Sequence, residues 1–268
     1  MKKLEHLSEI YSSYDTFIID LWGVMHNGIT LYKDAIDAAE KLIEDSKKIV
    51  FLSNAPRPSK QVKEFLKKMK MSEKLLVNIM TSGEAAMQAI NKKRFGKLFY
   101  HLGPSRDESI FFKVRENKTN LEKSDFILCT GLFDDYESNL NFYKDLLKKY
   151  TTKKLICTNP DLTVHRGNEE EYCAGSIAKI FESIGGNVVY FGKPYKDIYE
   201  MCFNKNEKVL AIGDNLRTDI KGANNLNIDS IFIHSGVHRN EFNSESDLKN
   251  LLVKYKVKTN YFQKNLMW

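Results

Sequence analysis

Short apolar runs alternate with helical patterns along most of this 268-residue chain. The strand-like runs are residues 16–19, 49–52, 97–101, 126–129, 155–157, 188–191, 209–212 and 230–233. The spacing of apolar residues predicts helices over 4–14, 34–46, 59–69, 138–149, 174–184 and 245–255. Strands that alternate with helices form parallel sheets with helices on both faces. The pattern therefore predicts an α/β fold whose core is a doubly wound, Rossmann-like parallel sheet.

The composition is that of a globular chain with a mild positive charge. Hydrophobic residues make up 42% of the chain, which supplies enough apolar surface for a core and excludes disorder as the main state. Lys and Arg number 41 against 35 Asp and Glu, a net charge of +6. The lysines are scattered, which favours a solvated surface over a nucleic-acid site. We therefore expect no nucleic-acid partner.

The apolar runs also bear on location. None approaches the roughly 18 residues that a membrane-spanning helix needs, and the amino-terminal segment lacks the apolar stretch of a signal peptide. The four cysteines, Cys129, Cys157, Cys173 and Cys202, show neither CxxC spacing nor zinc-finger spacing. We expect buried, reduced thiols in a cytoplasmic protein that makes no membrane contact.

Four of the strand-like runs end in polar residues that suit a phosphate and a hard cation. These residues are Asp20, Ser53, Asn54, Lys193 and Asp214, and Asp219 follows five residues after Asp214. Ligands of open α/β sheets bind outside the carboxyl ends of the strands, so neighbouring strands would bring these side chains into one crevice. Mg²⁺ takes carboxylate and phosphate oxygens, and a lysine with a hydroxyl can orient phosphoryl oxygens.

In order along the chain, these segments resemble the four motifs of the haloacid dehalogenase (HAD) superfamily. The matching segments are Asp20-Leu21-Trp22-Gly23-Val24, Ser53-Asn54, Gly192-Lys193-Pro194 and Gly213-Asp214-Asn215-Leu216-Arg217-Thr218-Asp219. Their details resemble class IIA of that superfamily, the NagD-like and 4-nitrophenylphosphatase-like enzymes. The resemblance covers nearly the whole chain. One motif alone is ordinary turn or capping chemistry, whereas four in order are specific.

The resemblance implies a Mg²⁺ cofactor with a defined ligand set. Asp20 would be both the nucleophile and a ligand of the metal. The backbone carbonyl of Trp22 would be a second ligand, and Asp214 a third. Asp219 would lie beside the metal as a ligand or just behind the ligands.

The resemblance also assigns the phosphate contacts. Ser53 and Asn54 would hold phosphoryl oxygens, and Lys193 would act as a catalytic residue that balances the charge of Asp20 and the phosphate. Catalysis would pass through an aspartyl-phosphate at Asp20.

Trp22 departs from the family pattern, because phosphatases of the family usually carry a second aspartate at this position. That aspartate protonates the leaving oxygen, whereas an indole has one N–H donor and no titration near neutral pH. General acid–base catalysis contributes about 10²–10⁴-fold in rate. The substitution puts phosphatase turnover in question but leaves phosphate and Mg²⁺ binding intact.

Three explanations of Trp22 stay open. His26, six residues after Asp20, is a candidate substitute acid. Alternatively, the leaving group needs little protonation, as in an acyl or aryl phosphate. In the third, the chain is a catalytically weak phospho-ligand-binding or regulatory protein. An aromatic at this position also occurs in haloacid dehalogenases, but those enzymes do not need the metal site that Asp214 and Asp219 imply.

More than half of the chain lies between Asn54 and Lys193, which exceeds one crossover connection. Class IIA proteins carry an inserted α/β cap between these motifs, so the resemblance implies a core of residues 1–81 and 187–268 and a C2-type cap of residues 82–186. Asn159 and Asp161 follow a strand of this cap and are candidate substrate-binding residues, although Asn and Asp also cap ordinary turns.

The sequence thus predicts a Mg²⁺-dependent HAD-type phosphatase that acts on a small phosphorylated metabolite. The alternative is the weak phospho-ligand-binding protein that Trp22 suggests. Class IIA proteins often associate through their caps, so the resemblance also implies a homodimer.

Overall fold

The computed structural model describes residues 1–167 and 169–268. Its strands are β1 (Lys2–Lys3), β2 (Thr16–Ile19), β3 (Lys48–Ser53), β4 (Ile79–Thr81), β5 (Phe99–Leu102), β6 (Phe126–Cys129), β7 (Lys154–Cys157), β8 (Thr163–Arg166), β9 (Glu169–Tyr172), β10 (Asn187–Tyr190), β11 (Val209–Gly213), β12 (Asp229–Ile233) and β13 (Tyr261–Gln263). Its α-helices are α1 (Lys33–Glu44), α2 (Ser59–Lys68), α3 (Ser82–Asn91), α4 (Leu140–Leu147), α5 (Ala174–Ser183), α6 (Lys196–Glu200), α7 (Lys221–Asn225) and α8 (Glu245–Tyr255).

Seven strands form the larger sheet, in the order β1-β13-β12-β11-β2-β3-β4. All of its strand pairs are parallel. Side chains alternate between its two faces: Phe17 and Ile19 pack in one core with Leu42 of α1, while Ile18 packs in another with Tyr199 of α6. Helices cover both faces, so the predicted doubly wound α/β fold is confirmed.

A second sheet is built from the middle of the chain. Its four parallel strands lie in the order β10-β7-β6-β5, and α3 and α5 pack on it through Met87 and Phe181. The antiparallel hairpin of β8 and β9 follows β7. The boundary predicted at residue 187 is too early, because β10 pairs with β7 and belongs to this smaller sheet. Gly185 and Gly186 form the turn into β10, so the chain leaves the sheet only after Tyr190.

The helix predicted over 4–14 is wrong. The segment instead contains two short 3₁₀ turns, Leu7–Glu9 and Tyr11–Ser13. β1 pairs with β13 at the far end of the chain, and the N–H of Leu4 extends this pairing to the carbonyl of Phe262 at 3.0 Å. A continuous helix would forfeit these sheet hydrogen bonds, which local spacing cannot reveal.

The four cysteines are buried free thiols, as predicted. Across residues 1–167 and 169–268, no helix combines the length and the apolar character that a bilayer crossing requires.

Candidate active site

The carboxyl ends of β2, β3 and β11 open into a cavity of about 650 Å³ between the two sheets. Asp20, Ser53, Lys193, Asp214 and Asp219 all border it, and each of them is buried. This volume is within the range of small-molecule sites and is far larger than one phosphate group needs. The structure therefore brings together the strand-end residues that the sequence singled out.

Lys193 is the central cation of the site. Its Nζ donates to Oδ1 of Asp20 at 2.5 Å and to Oδ1 of Asp219 at 2.7 Å. The Lys193 side chain is only 3% exposed. Burial lowers the pKa of this ammonium, but Asp20 and Asp219 together raise that pKa well above its ordinary value. Lys193 is thus a permanent positive charge beside the carboxylate of Asp20.

Asn54 holds the loop that carries Lys193. The backbone N–H of Lys193 donates to Oδ1 of Asn54 at 2.8 Å, and Nδ2 of Asn54 donates to the carbonyl of Lys193 at 3.2 Å. Ser53 borders the cavity directly, and its Oγ accepts from the N–H of Ala55 at 3.2 Å. The hydroxyl hydrogen of Ser53 is therefore free to point at a ligand, whereas Asn54 serves the lysine loop.

Asp214 lies in a tight space between two glycines. A Cβ added to Gly23 would lie 2.1 Å from Oδ2 of Asp214, and one added to Gly236 would lie 1.9 Å from it. The N–H of Val237 donates to the same Oδ2 at 2.8 Å. The two glycines therefore allow the first-motif loop and the loop after β12 to enclose this carboxylate.

Three carboxylates gather around one lysine, and this arrangement fits a divalent cation. Ligand oxygens of Asp20, Asp214 and Asp219 lie within 4.8 Å of one another. Burial raises the pKa of Asp20 to about 8; Lys193 opposes this rise and Asp219 adds to it. Burial likewise raises the pKa of Asp214, with Asp20 and Asp219 adding to the rise. The raised pKa values mean that these buried carboxyls lack enough positive charge nearby to ionise together. A divalent cation that prefers hard oxygen donors, such as Mg²⁺, would supply that charge.

The two insert residues expected at the substrate differ in role. Asn159 and Asp161 both border the cavity. Oδ1 of Asn159 accepts from the N–H of Asp161 at 3.0 Å, which is a turn contact. Oδ1 of Asp161 accepts from Nδ2 of Asn215 at 3.1 Å, so this carboxylate reaches the core. Burial raises the pKa of Asp161 to about 6, with Lys193 lowering it and Asp219 raising it.

Trp22 joins the core to the β8–β9 hairpin. Its indole Nε1 donates to the backbone carbonyl of His165 at 2.8 Å. The ring packs against Gly28, where an added Cβ would lie 2.5 Å from the ring. A second hydrogen bond, between backbone groups, runs from the N–H of Gly167 to the carbonyl of Asn27 at 3.1 Å and also joins the hairpin to the first-motif loop. The only donor of this side chain is thus engaged with the hairpin.

His26 borders the cavity but lies in a closed environment. Its ring is edge-on to Trp22 and to Phe65, and the residue is only 2% exposed. Nδ1 accepts from the N–H of Gly28 at 3.0 Å. Burial lowers the pKa of His26 to about 4. A neutral imidazole with one nitrogen already accepting a hydrogen bond favours a structural role in the loop over that of a substitute acid.

The sequence-based prediction gave no role to two residues of the site. Asn215 caps the turn Leu216–Ile220 and bonds Asp161. Arg239 borders the cavity on the loop after β12. The signal for Arg239 was present, because the strand-end rule that found Asp20 applies equally to β12.

The doubly wound parallel sheet and the carboxylates at its strand ends place the chain among α/β proteins with a ligand site at the carboxyl edge of the sheet. Comparison with family models gives the family. Residues 17–115 match a model described as haloacid dehalogenase-like hydrolase, and residues 190–255 match a second HAD hydrolase-like model. Together they span more than half of the chain. The chain belongs to the haloacid dehalogenase-like hydrolases, which confirms the predicted resemblance.

Individual relatives agree with this assignment. The 5′-nucleotidase YutF of Bacillus subtilis is 26% identical over 237 residues, which cover 85% of this chain and 90% of the relative. A haloacid dehalogenase-like hydrolase from Brucella suis superposes with a TM-score of 0.86 at 26% identity, covering 98% of this chain and 100% of its own. A 4-nitrophenylphosphatase from Thermotoga maritima superposes with a TM-score of 0.69 at 26% identity, covering 96% of each chain.

Proposed function

We propose that this chain is a Mg²⁺-dependent phosphatase that acts on a small phosphorylated metabolite through an aspartyl-phosphate at Asp20. The observation that carries the proposal is the ammonium of Lys193 bonded to both Asp20 and Asp219 beside the buried carboxylate of Asp214. The relatives named as a 5′-nucleotidase and a 4-nitrophenylphosphatase support the same reaction class.

In this proposal, the carboxylate oxygen of Asp20 attacks phosphorus, and the bond from phosphorus to the ester oxygen breaks. The Ser53 hydroxyl donates to a phosphoryl oxygen, while Lys193 neutralises charge between nucleophile and phosphate. Asp20, the backbone carbonyl of Trp22, Asp214 and Asp219 would hold Mg²⁺. When bound, the cation shields the anionic substrate from the anionic nucleophile. Water then attacks phosphorus, the bond from phosphorus to the Asp20 oxygen breaks, and the protons of the water leave with the released phosphate.

The leaving oxygen needs a proton that position 22 cannot supply. The indole N–H of Trp22 is bonded to His165, and it does not titrate. This geometry favours substrates whose leaving group departs as a stable anion, such as acyl or aryl phosphates. The alternative function, a phospho-ligand-binding protein with little turnover, rests on the same feature.

Other parts of the prediction remain proposals. We propose that residues 82–190 act as a cap over the cavity. A homodimer formed through this cap and a cytoplasmic location also stay predictions.

The test is a phosphomonoester assay with Mg²⁺ on the native chain, Asp20→Asn and Trp22→Asp. The panel pairs aryl and acyl phosphates with alkyl phosphates. We expect the native chain to cleave aryl or acyl phosphates and Asp20→Asn to fall to background. Trp22→Asp should gain activity on alkyl phosphates, because a carboxyl group can protonate a poor leaving group.

The phosphatase proposal fails if the native chain does not exceed the Asp20→Asn background on any substrate. A gain of turnover by Trp22→Asp in that case would show that only the acid is missing, which supports the binding-protein alternative. His26→Ala serves as the control for the substitute-acid hypothesis: an unchanged pH–rate profile removes His26 from the mechanism.

A further inference from the structure

Four arginines border the cavity, and three of them are paired with carboxylates. The paired ones are Arg57 with Asp107 at 3.3 Å, Arg106 with Asp134 at 3.4 Å and Arg166 with Glu171 at 4.0 Å. Arg239 is half-buried, and within residues 1–167 and 169–268 its guanidinium makes no hydrogen bond or ion pair. Removing a charge from water without a partner costs free energy. A ligand anion would supply the missing partner.

His165 faces the same space from the hairpin. Its Nδ1 is buried and has no hydrogen-bond partner in the part of the chain that the structure describes. A neutral imidazole donates from Nδ1 in one of its tautomers. Two donors that lack a partner among the described residues therefore border the same cavity.

Both donors are held by elements tied to the catalytic centre. The Trp22 indole fixes the backbone of His165, and Arg239 follows two residues after Val237, whose N–H holds Asp214. Glu169 and Glu170 also border the cavity, but they are solvent-exposed. Water screens their charges more than it screens the half-buried guanidinium.

We propose that Arg239 and His165 form a second subsite, which binds an anionic oxygen group of the substrate other than the phosphoryl group that reacts. This proposal rests on the proposed function and narrows its substrate class to phosphorylated compounds that carry a carboxylate or a second phosphate. The indole of Trp22 is then a positioning group for this subsite.

The test measures binding rather than turnover, by calorimetry with Mg²⁺ on Asp20→Asn. The probes are matched pairs: 3-phosphoglycerate with glycerol 3-phosphate, 6-phosphogluconate with sorbitol 6-phosphate, and fructose 1,6-bisphosphate with fructose 6-phosphate. In at least one pair, we expect the member with two anionic groups to bind about tenfold more tightly than the member with one. This difference matches the strength of a charge-assisted hydrogen bond. The first two pairs report a carboxylate, and the third reports a second phosphate.

Adding Arg239→Gln should abolish that preference and leave the affinity for the member with one anionic group unchanged. Adding His165→Phe should reduce the preference. Arg94→Gln, a matched arginine outside the cavity lining, should leave it intact. The subsite is refuted if no pair discriminates, or if Arg239→Gln weakens both members equally. A preference that depends on Arg239 in a chain without turnover would uphold the subsite and refute the phosphatase proposal alone.

Discussion

The core cluster and the β8–β9 hairpin border the same cavity but are held in different ways. In the core, Asp20 and Asp219 share the ammonium of Lys193, and all three side chains are buried. The hairpin is tied to the first-motif loop by the indole of Trp22 and by the backbone of Gly167. Most of its side chains are exposed or half-buried.

This difference separates chemistry from recognition. Charges that are buried together depend on one another, so losing one leaves the others uncompensated. Groups at a solvated hairpin can change at little cost in stability. We therefore expect substitutions in the core to affect folding and turnover together, and substitutions in the hairpin to affect mainly substrate binding.

The largest effect is expected for Lys193→Met. Removing this ammonium leaves the buried Asp20 and Asp219 unpaired, so the free energy of unfolding should fall by about 3–5 kcal/mol. Denaturant unfolding monitored by circular dichroism measures this change. Lys196→Met is the control, because the Lys196 side chain is 61% exposed and pairs with Glu200 on the surface. Equal stability of the two variants would contradict the dependence among the core charges.

A smaller effect is expected for Trp22→Phe, which keeps an aromatic ring and removes the N–H that binds His165. Loss of this one hydrogen bond should weaken the attachment of the hairpin to the first-motif loop by about 1 kcal/mol. If the hairpin contributes to substrate binding, this loss corresponds to roughly a fivefold rise in KM. Hydrogen–deuterium exchange should become faster across residues 163–172. Trp268→Phe, which removes the other tryptophan, should leave that exchange unchanged, because the Trp268 ring packs at a tilt against Tyr11 and not against the hairpin. Unaltered exchange in Trp22→Phe would show that the indole does not hold the hairpin.

The smallest effect concerns Glu241, which supports the core loop through His238. Nε2 of His238 accepts from the N–H of Leu216 at 3.1 Å, and Nδ1 donates to Glu241 at 2.5 Å. Burial raises the pKa of Glu241, but hydrogen bonds from His238, Lys254 and Tyr255 prevail and lower it to about 2 from 4.5. The pair therefore stabilises the fold above pH 4.5, and this contribution is lost as the pH falls from 4.5 to 2.

Because Glu241 faces solvent, Glu241→Gln should cost at most about 1 kcal/mol near neutral pH. Thermal unfolding at a series of pH values measures this cost. The native chain and the variant should converge in stability as the pH approaches 2, the lowered pKa of Glu241. Glu116→Gln, at an exposed glutamate, is the matched control. A constant difference between native and variant across this range would disprove the linkage.

Local pattern was sufficient for the larger elements of the fold. The apolar runs at residues 16–19 and 126–129 are strands with those bounds, because consecutive β-branched and aromatic residues suit strands buried on both faces. β1 is two lysines and β13 is only three residues long, so neither has a local pattern that predicts a strand. Their pairing joins the two ends of the chain. The same pairing displaced the predicted helix at 4–14.

The sequence by itself determined the parallel α/β fold and the residues at the strand ends, because residue type and periodicity are local and the carboxyl edge of a parallel sheet is a topological consequence of them. Only the tertiary structure decided what Trp22 and Arg239 contact. The Trp22 indole donates to a carbonyl on a hairpin far along the chain. Among the described residues Arg239 has no ion-pair partner, whereas the three other arginines that border the cavity each pair with a carboxylate. Contacts between distant segments depend on how the two sheets pack, and no local pattern records that packing.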